Sequence, residues 1–247
     1  MTAPAGTGSG RRVADSARLL AAFRHEQSDP DRFYRMLARD TVEVVAEFAP
    51  LAGRRVLEVG SGPGDLAEAF REAGARAVAT DLSWEELHCR ERTLAATVLS
   101  DGRVLPFPDG SFDLSVSSNV LEHVPVPLDL VRDMVRVTAP GGIVFVNYTA
   151  WFSPWGGHET APWHYFGAEW ALRRYEKVHG EAPKNRYGSG LFRLGVAEFL
   201  DDLGTLEGVD PVDAFPRYFP RWTRPILKVP GIREVVTWNL AVVLRRR

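Results

Sequence analysis

The residues with most chemistry to offer stand in one short stretch, Glu58-Val59-Gly60-Ser61-Gly62-Pro63-Gly64. Glycines between a strand and a helix let a ligand approach the backbone, and the helix start presents unpaired N–H groups and a positive dipole end to a carboxylate or phosphate. A dinucleotide fingerprint puts its third glycine five residues after its first. Here Gly64 follows Gly60 by four. Asp81 comes 21 residues after Gly60 and ends a second apolar run, where a carboxylate can accept both hydroxyls of a ribose. Asp101-Gly102 ends a third run, placed to accept from an exocyclic amine, and Ser117-Ser118-Asn119 ends a fourth. Together these four ends describe an adenosine site.

A second set of reactive types lies further on. His123 follows the fourth run closely, and His158, Glu159 and His164 fall in a stretch from Tyr148 to Trp170 that holds eight aromatic residues, four of them Trp. This stretch is too irregular for a core helix and too apolar for a free linker, so it reads as a lid or insertion over the ligand face.

The elements that would position these residues alternate. A helical pattern opens at Asp29-Pro30 and ends near Pro50; short apolar runs at 54–59, 77–80, 97–99, 112–116 and 143–148 are separated by helical stretches, notably to Gly74 and from Leu128 to Val137. Pro140-Gly141-Gly142 reads as a turn into the fifth strand. A helix over 195–203, a strand over 207–213 and a last strand over 235–244 complete the chain. Such alternation predicts an α/β fold with a doubly wound, mostly parallel sheet, seven strands in all, whose ligands bind at the carboxyl ends of the strands. The predicted organisation is a flexible tail over 1–14 and one domain over 15–247, with 149–190 as the lid and acceptor-binding insertion.

Composition narrows the function classes. The 247 residues, 45% hydrophobic and 25% charged, suit one compact globular domain. Net charge is -2, with 27 of the 30 basic residues Arg, a balance that argues against nucleic acid as the main partner. The single Cys89 offers neither an internal disulfide nor a cysteine-rich zinc site, in keeping with a cytoplasmic protein. Apolar clusters such as 19–23 and 240–244 fall far short of the ~20 residues needed to span a bilayer. A homodimer is left open.

The resemblance that these residues carry is specific. Val56 to Gly64, the acidic Asp81, Leu105-Pro106-Phe107-Pro108-Asp109-Gly110-Ser111-Phe112-Asp113, Val120-Leu121-Glu122-His123-Val124 and Val137-Thr138-Ala139-Pro140-Gly141-Gly142 resemble a class I S-adenosylmethionine-dependent methyltransferase of the type 11, ubiquinone-biosynthesis-like group. The likeness runs from about Arg54 to Tyr148 and covers the cofactor half. It implies a Rossmann-like methyltransferase fold with S-adenosyl-L-methionine as cofactor. Gly60, Ser61 and Gly62 would hold the methionine part while Glu58 orients the loop. Asp81 would take the ribose, Leu82 and Val104 flank the adenine, Asp101 with Gly102 receive its amine, and Asn119 lie beside the sulfonium.

The acceptor is a small molecule on this reading, and its chemistry sets the rest. A sugar or alcohol hydroxyl profits from a general base, and a positioned His contributes ~100–10,000-fold. His158, with the adjacent Glu159 to orient it, is the preferred base; His123 is the second candidate and His164 the third. Trp151, Trp155, Trp163 and Tyr165 can stack on a sugar ring while His158, Glu159 and Asn147 meet hydroxyls. A divalent metal on His158, Glu159 and His164 stays open, although no metal motif of recognised spacing is present. The other readings are a C-methyltransferase for a quinone-like or lipid acceptor, a non-catalytic cofactor-binding protein, and a nicotinamide oxidoreductase, against which the glycine spacing counts.

Overall fold

The computed structural model describes residues 30–88 and 96–247. The sequence-predicted tail, the apolar cluster 19–23, Asp29 and Cys89 lie outside the described residues. Helix α1 (Pro30–Ala46) precedes β1 (Arg55–Val59), α2 (Asp65–Glu72), β2 (Arg76–Asp81), α3 (Trp84–His88), β3 (Thr97–Leu99), β4 (Phe112–Ser118), α4 (Pro127–Val137) and β5 (Thr138–Thr149). After these come α5 (Ala168–His179), α6 (Val196–Leu203), β6 (Val209–Pro216), α7 (Ile232–Val236) and β7 (Asn239–Arg246). The sheet has seven strands in the order β3-β2-β1-β4-β5-β7-β6, parallel except that β7 runs against both its neighbours. No helix among the described residues is long and apolar enough to cross a membrane.

Both faces of this sheet are covered, which is why its strands read as continuous apolar runs. Successive residues face opposite sides of a strand. Leu57, Val59, Val144 and Val146 join Leu130, Met134 and Phe199 of α4 and α6, whereas Val56, Leu114, Val116 and Phe145 join Val45, Leu66 and Phe70 of α1 and α2. The order of strands 1 and 4 at the centre leaves a crevice at their carboxyl ends, the usual ligand position in such sheets.

Three local expectations shift. The residues read as the turn Pro140-Gly141-Gly142 belong to β5 as an irregularity: Phe112 pairs with Thr138 and Leu114 with Ile143. Gly141 has φ +78, and a Cβ on Gly142 would lie 2.8 Å from the carbonyls of Ala139 and Asp113. The predicted last strand starts four residues late, because Ile232–Val236 is helical and Trp238 turns the chain with φ +56. The insertion also contains a true helix, α5, which follows two 3-10 turns at His158–Thr160 and Trp163–Phe166.

Candidate active site

The loop from β1 to α2 is anchored before any ligand arrives. Gly60 N and Ser61 N donate to the Thr80 carbonyl at 2.8 and 2.9 Å, and Gly62 N donates to Asp81 Oδ2 at 2.8 Å. Gly60 has φ +75, and a Cβ there would lie 2.4 Å from Val120, so this position admits only glycine without movement. Gly62 differs. Its φ is +50, yet an added Cβ would meet nothing within 4 Å, so the backbone there faces open space. Glu58 lies underneath, its Oε2 accepting from Ala67 N at 2.8 Å in the first turn of α2, and burial pushes its pKa up to about 8.

Asp81 is half-buried at the end of β2. Its Oδ1 accepts from Ser83 N at 2.9 Å, and each carboxylate oxygen keeps lone-pair capacity for a further donor. Leu82 and Val104 are 71% and 75% exposed, two apolar side chains left uncovered among the described residues. A flat aromatic ligand between them would remove that surface from water. Asp101 departs from the expectation of a free acceptor: Arg103 engages both its oxygens, with Nη2 at 2.6 Å from Oδ2, and this ion pair holds its pKa below the usual range. Gly102 is glycine for packing, since a Cβ would lie 2.8 Å from Val59 and 2.9 Å from Leu130.

The carboxyl end of β4 is polar and tied across the sheet. Asn119 (φ +56) accepts at Oδ1 from Asn147 Nδ2 at 3.1 Å and from Asn239 Nδ2 at 2.7 Å. Asn147 is thus buried in a bracket joining β4, β5 and β7, which corrects its expected role on acceptor hydroxyls. Arg217, buried, ties α1 to the same edge: Nη2 donates to Thr41 Oγ1 at 2.5 Å and Nη1 to Ser118 Oγ at 3.2 Å.

Next to Asn119 the chain turns through Leu121–His123 and brings two distant residues together. The rings of His123 and His158 lie 5.0 Å apart, edge to face. His123 Nδ1 is 2.6 Å from the Gly190 carbonyl, which only accepts, so Nδ1 donates there and Nε2 is the nitrogen left for other partners. Glu122 is 1% exposed; its Oε1 accepts from Thr149 N at 2.9 Å, while its buried Oε2 has no hydrogen-bond partner. His158 Nε2 is also buried without a partner, and burial lowers that imidazole to a pKa of about 4, leaving it neutral. Ligand atoms of Glu122, His123 and His158 all lie within 4.8 Å of one another.

This corrects the predicted company of His158. Glu159 does not orient it but accepts from Asn185 Nδ2 at 2.9 Å, and the acid beside His158 is Glu122. His164 is buried with Nε2 3.0 Å from the Trp151 carbonyl, and among the described residues His158, Glu159 and His164 do not cluster as metal ligands. Trp151 is buried against His164 and Tyr187 and offers no face to an acceptor. Trp155, Trp163 and Tyr165 are 39–43% exposed; Trp163 carries Arg174 over its ring at 4.2 Å. Gly156 and Gly157 are glycine because a Cβ would strike the Trp151 carbonyl at 2.0 Å and the His164 ring at 2.5 Å, a packing requirement and not a mark of freedom.

Sequence reasoning quoted Glu122 only within a motif and missed Asn239 and Arg217 altogether. Adjacency to His123 was the one local signal for Glu122; nothing local marks the other two.

Residues 57–146 match the family model described as "Methyltransferase domain". An uncharacterized methyltransferase of Mycobacteroides abscessus is 45% identical, covering 94% of this chain and 94% of that protein. One of Mycobacterium leprae is 46% identical over 94% of this chain and 89% of that protein. Among solved structures, an S-adenosylmethionine-dependent methyltransferase from Mesorhizobium loti superposes with a TM-score of 0.56 at 20% identity, covering 84% of this chain and 98% of that one, a likeness of fold.

Proposed function

This chain belongs to the class I S-adenosylmethionine-dependent methyltransferases, and on that footing we propose that it methylates a hydroxyl of a small-molecule acceptor, a saccharide by preference. S-Adenosyl-L-methionine is the cofactor, and when bound it supplies a methyl group already activated on a sulfonium, leaving as S-adenosylhomocysteine. The residues present fit it. Gly62 faces open space, Asp81 has acceptor capacity to spare, and Leu82 and Val104 stand uncovered.

We assign the ribose hydroxyls to Asp81, the methionine part to the backbone of Gly60, Ser61 and Gly62, the adenine to the gap between Leu82 and Val104, and its amine to the Asp101-Gly102 turn. Glu58 holds the loop through Ala67 N and does not need to touch the ligand. Asn119, fixed by Asn147 and Asn239, borders the reacting end.

An alcohol is a poor nucleophile until its proton has somewhere to go. His158 would take that proton at Nε2, with His123 beside it. The proton later passes to solvent, so an alcohol and the sulfonium give a methyl ether, the thioether and one proton. The protein's other task is alignment and exclusion of water, which brings reacting atoms to about 3–3.5 Å. The observation that carries the hydroxyl reading is the unpartnered His158 Nε2 next to His123. The partly exposed rings of Trp155 and Tyr165 support a sugar ring as the occupant. A C-methylated quinone-like or lipid acceptor would need no such base.

The test is a panel of hydroxylated metabolites and oligosaccharides incubated with S-adenosylmethionine carrying a 13C methyl. A product methyl on oxygen, absent with His158→Ala, is expected. A methyl on carbon, or equal rates with His158→Ala and His123→Ala, would overturn the reading.

A further inference from the structure

The strongest unexplained feature among the described residues is a pair of buried atoms without a hydrogen-bond partner, Glu122 Oε2 and His158 Nε2, on two residues that cluster with His123. A buried polar atom left unpaired costs about 1–3 kcal/mol, and two in one place call for a shared partner. Each has a lone pair to give: the carboxylate accepts only, and a neutral imidazole keeps one bare nitrogen. A partner with positive charge and no need to accept would satisfy them all.

The geometry points to a divalent cation site formed by Glu122, His123 and His158, with a donor set suited to Zn2+ and similar ions. Two imidazoles and one carboxylate are a recurrent three-residue set that leaves coordination positions open. Zinc sits about 2.0–2.2 Å from such ligands, so in a tetrahedron they stand roughly 3.3–3.5 Å apart. The present atoms, within 4.8 Å of one another, need to close by at most about 1.5 Å, a change that side-chain rotations can supply. Two of the three are already oriented from behind, as metal ligands are: His123 by the Gly190 carbonyl at 2.6 Å, and Glu122 by Thr149 N at 2.9 Å. The third is held in an uncommon backbone state, His158 having φ +48 with its N–H on the Trp155 carbonyl at 2.8 Å. Strain of that kind persists where the surroundings demand it. Glu159 and His164, held by Asn185 and the Trp151 carbonyl, stand outside this cluster.

The site stands on its own geometry and not on the acceptor. An ion there would occupy the His158 lone pair in place of the proton and would leave room for an acceptor oxygen as a further ligand, whose proton the ion itself would make more acidic; the hydroxyl reading then stands with the ion, and not the free imidazole, activating the oxygen.

The experiment uses the full chain, freed of any affinity tag and stripped with a chelator, titrated calorimetrically with Zn2+ alone. One Zn2+ per chain is expected, with affinity at least ~10-fold weaker in His158→Ala and in Glu122→Gln. Glu122→Gln keeps an amide oxygen for Thr149 N. Should either variant fail to fold, imidazole 15N spectra of the unsubstituted chain decide: Zn2+ should shift the Nε2 signals of His123 and His158 and leave His179 alone. No uptake, affinity unchanged in both folded variants, or shifts confined to other histidines would each overturn the site. Neither cofactor nor acceptor is present, so a negative result here leaves the hydroxyl assignment to its own assay.

Discussion

The half of this molecule proposed to hold the cofactor and the half proposed to hold the acceptor are built on different terms. Around β1 to β3 the useful groups are backbone amides and carboxylates near each other in sequence, already anchored, with open space in front of them: Gly62 on Asp81, Asp81 on Ser83, Glu58 on Ala67. Beyond β4 the useful groups come from far apart. Glu122 meets His158, His123 meets Gly190, and Asn119 meets Asn239. A region that holds a constant ligand can be written as a local motif, whereas a region that holds a particular acceptor is assembled by tertiary packing around it.

If that division is real, substitutions in the two halves should separate binding from turnover. The largest effect is expected at His158. His158→Ala should lower turnover at least ~100-fold while S-adenosylhomocysteine affinity, read by calorimetry, stays within about twofold. A parallel loss of both would merge the two halves.

Asp81→Ala should do the reverse, weakening cofactor binding by about 1.5–3 kcal/mol through lost charge-assisted hydrogen bonds to the ribose. Because Asp81 also receives Gly62 N and Ser83 N, part of this loss comes from the loop itself. Asp81→Asn, with one oxygen left, should fall between. Binding as tight as that of the parent in a folded Asp81→Ala chain would remove the ribose assignment.

Two glycines in one loop sharpen the contrast further. Gly60→Ala meets both a positive φ and the Val120 side chain and should cost about 1–2 kcal/mol of stability, seen in the Tm. Gly62→Ala meets no protein atom and should leave the Tm higher than Gly60→Ala does, yet weaken the cofactor by crowding its approach. Equal losses of stability would mean that the open space over Gly62 is not what separates the two positions.

A further effect is a pH dependence. Burial raises the Glu58 pKa from 4.5 to about 8, so the folded chain keeps this proton while the unfolded chain loses it. That contribution to stability is complete below 4.5 and is lost as pH rises through 8. Glu58→Gln cannot ionise, so the Tm of the parent should fall relative to the variant over this range. Parallel curves would mean that Glu58 is ionised in the folded state.

How far each half was legible in the sequence follows from the same division. The strands showed because both sheet faces are buried, and the boundaries of α4 and α6 showed because Pro127 and Gly195 punctuate them. The end of the sheet was less legible, since Val235-Val236 is as apolar as a strand but turns out helical before Trp238. In the candidate site, Gly60, Gly62 and Asp81 are proposed from spacing, and the structure brings them together, with Gly62 N on Asp81. Asp101 could not be read fully, because its pairing with Arg103 depends on a side chain folding back. His158 was legible as a reactive type but not in its company: Glu159 is adjacent in sequence, whereas Glu122 is adjacent in space. Trp151 and His164 looked like pocket residues because composition cannot tell a ring that faces a ligand from one that fills the insertion's own interior.

The most direct test of the division is a crystal structure of the chain with S-adenosylhomocysteine bound. The ribose hydroxyls should lie on Asp81 and the adenine between Leu82 and Val104, with the sulfur next to Asn119 on the side of His123 and His158. A ligand whose sulfur points away from those histidines, or whose ribose lies elsewhere than on Asp81, would contradict the account.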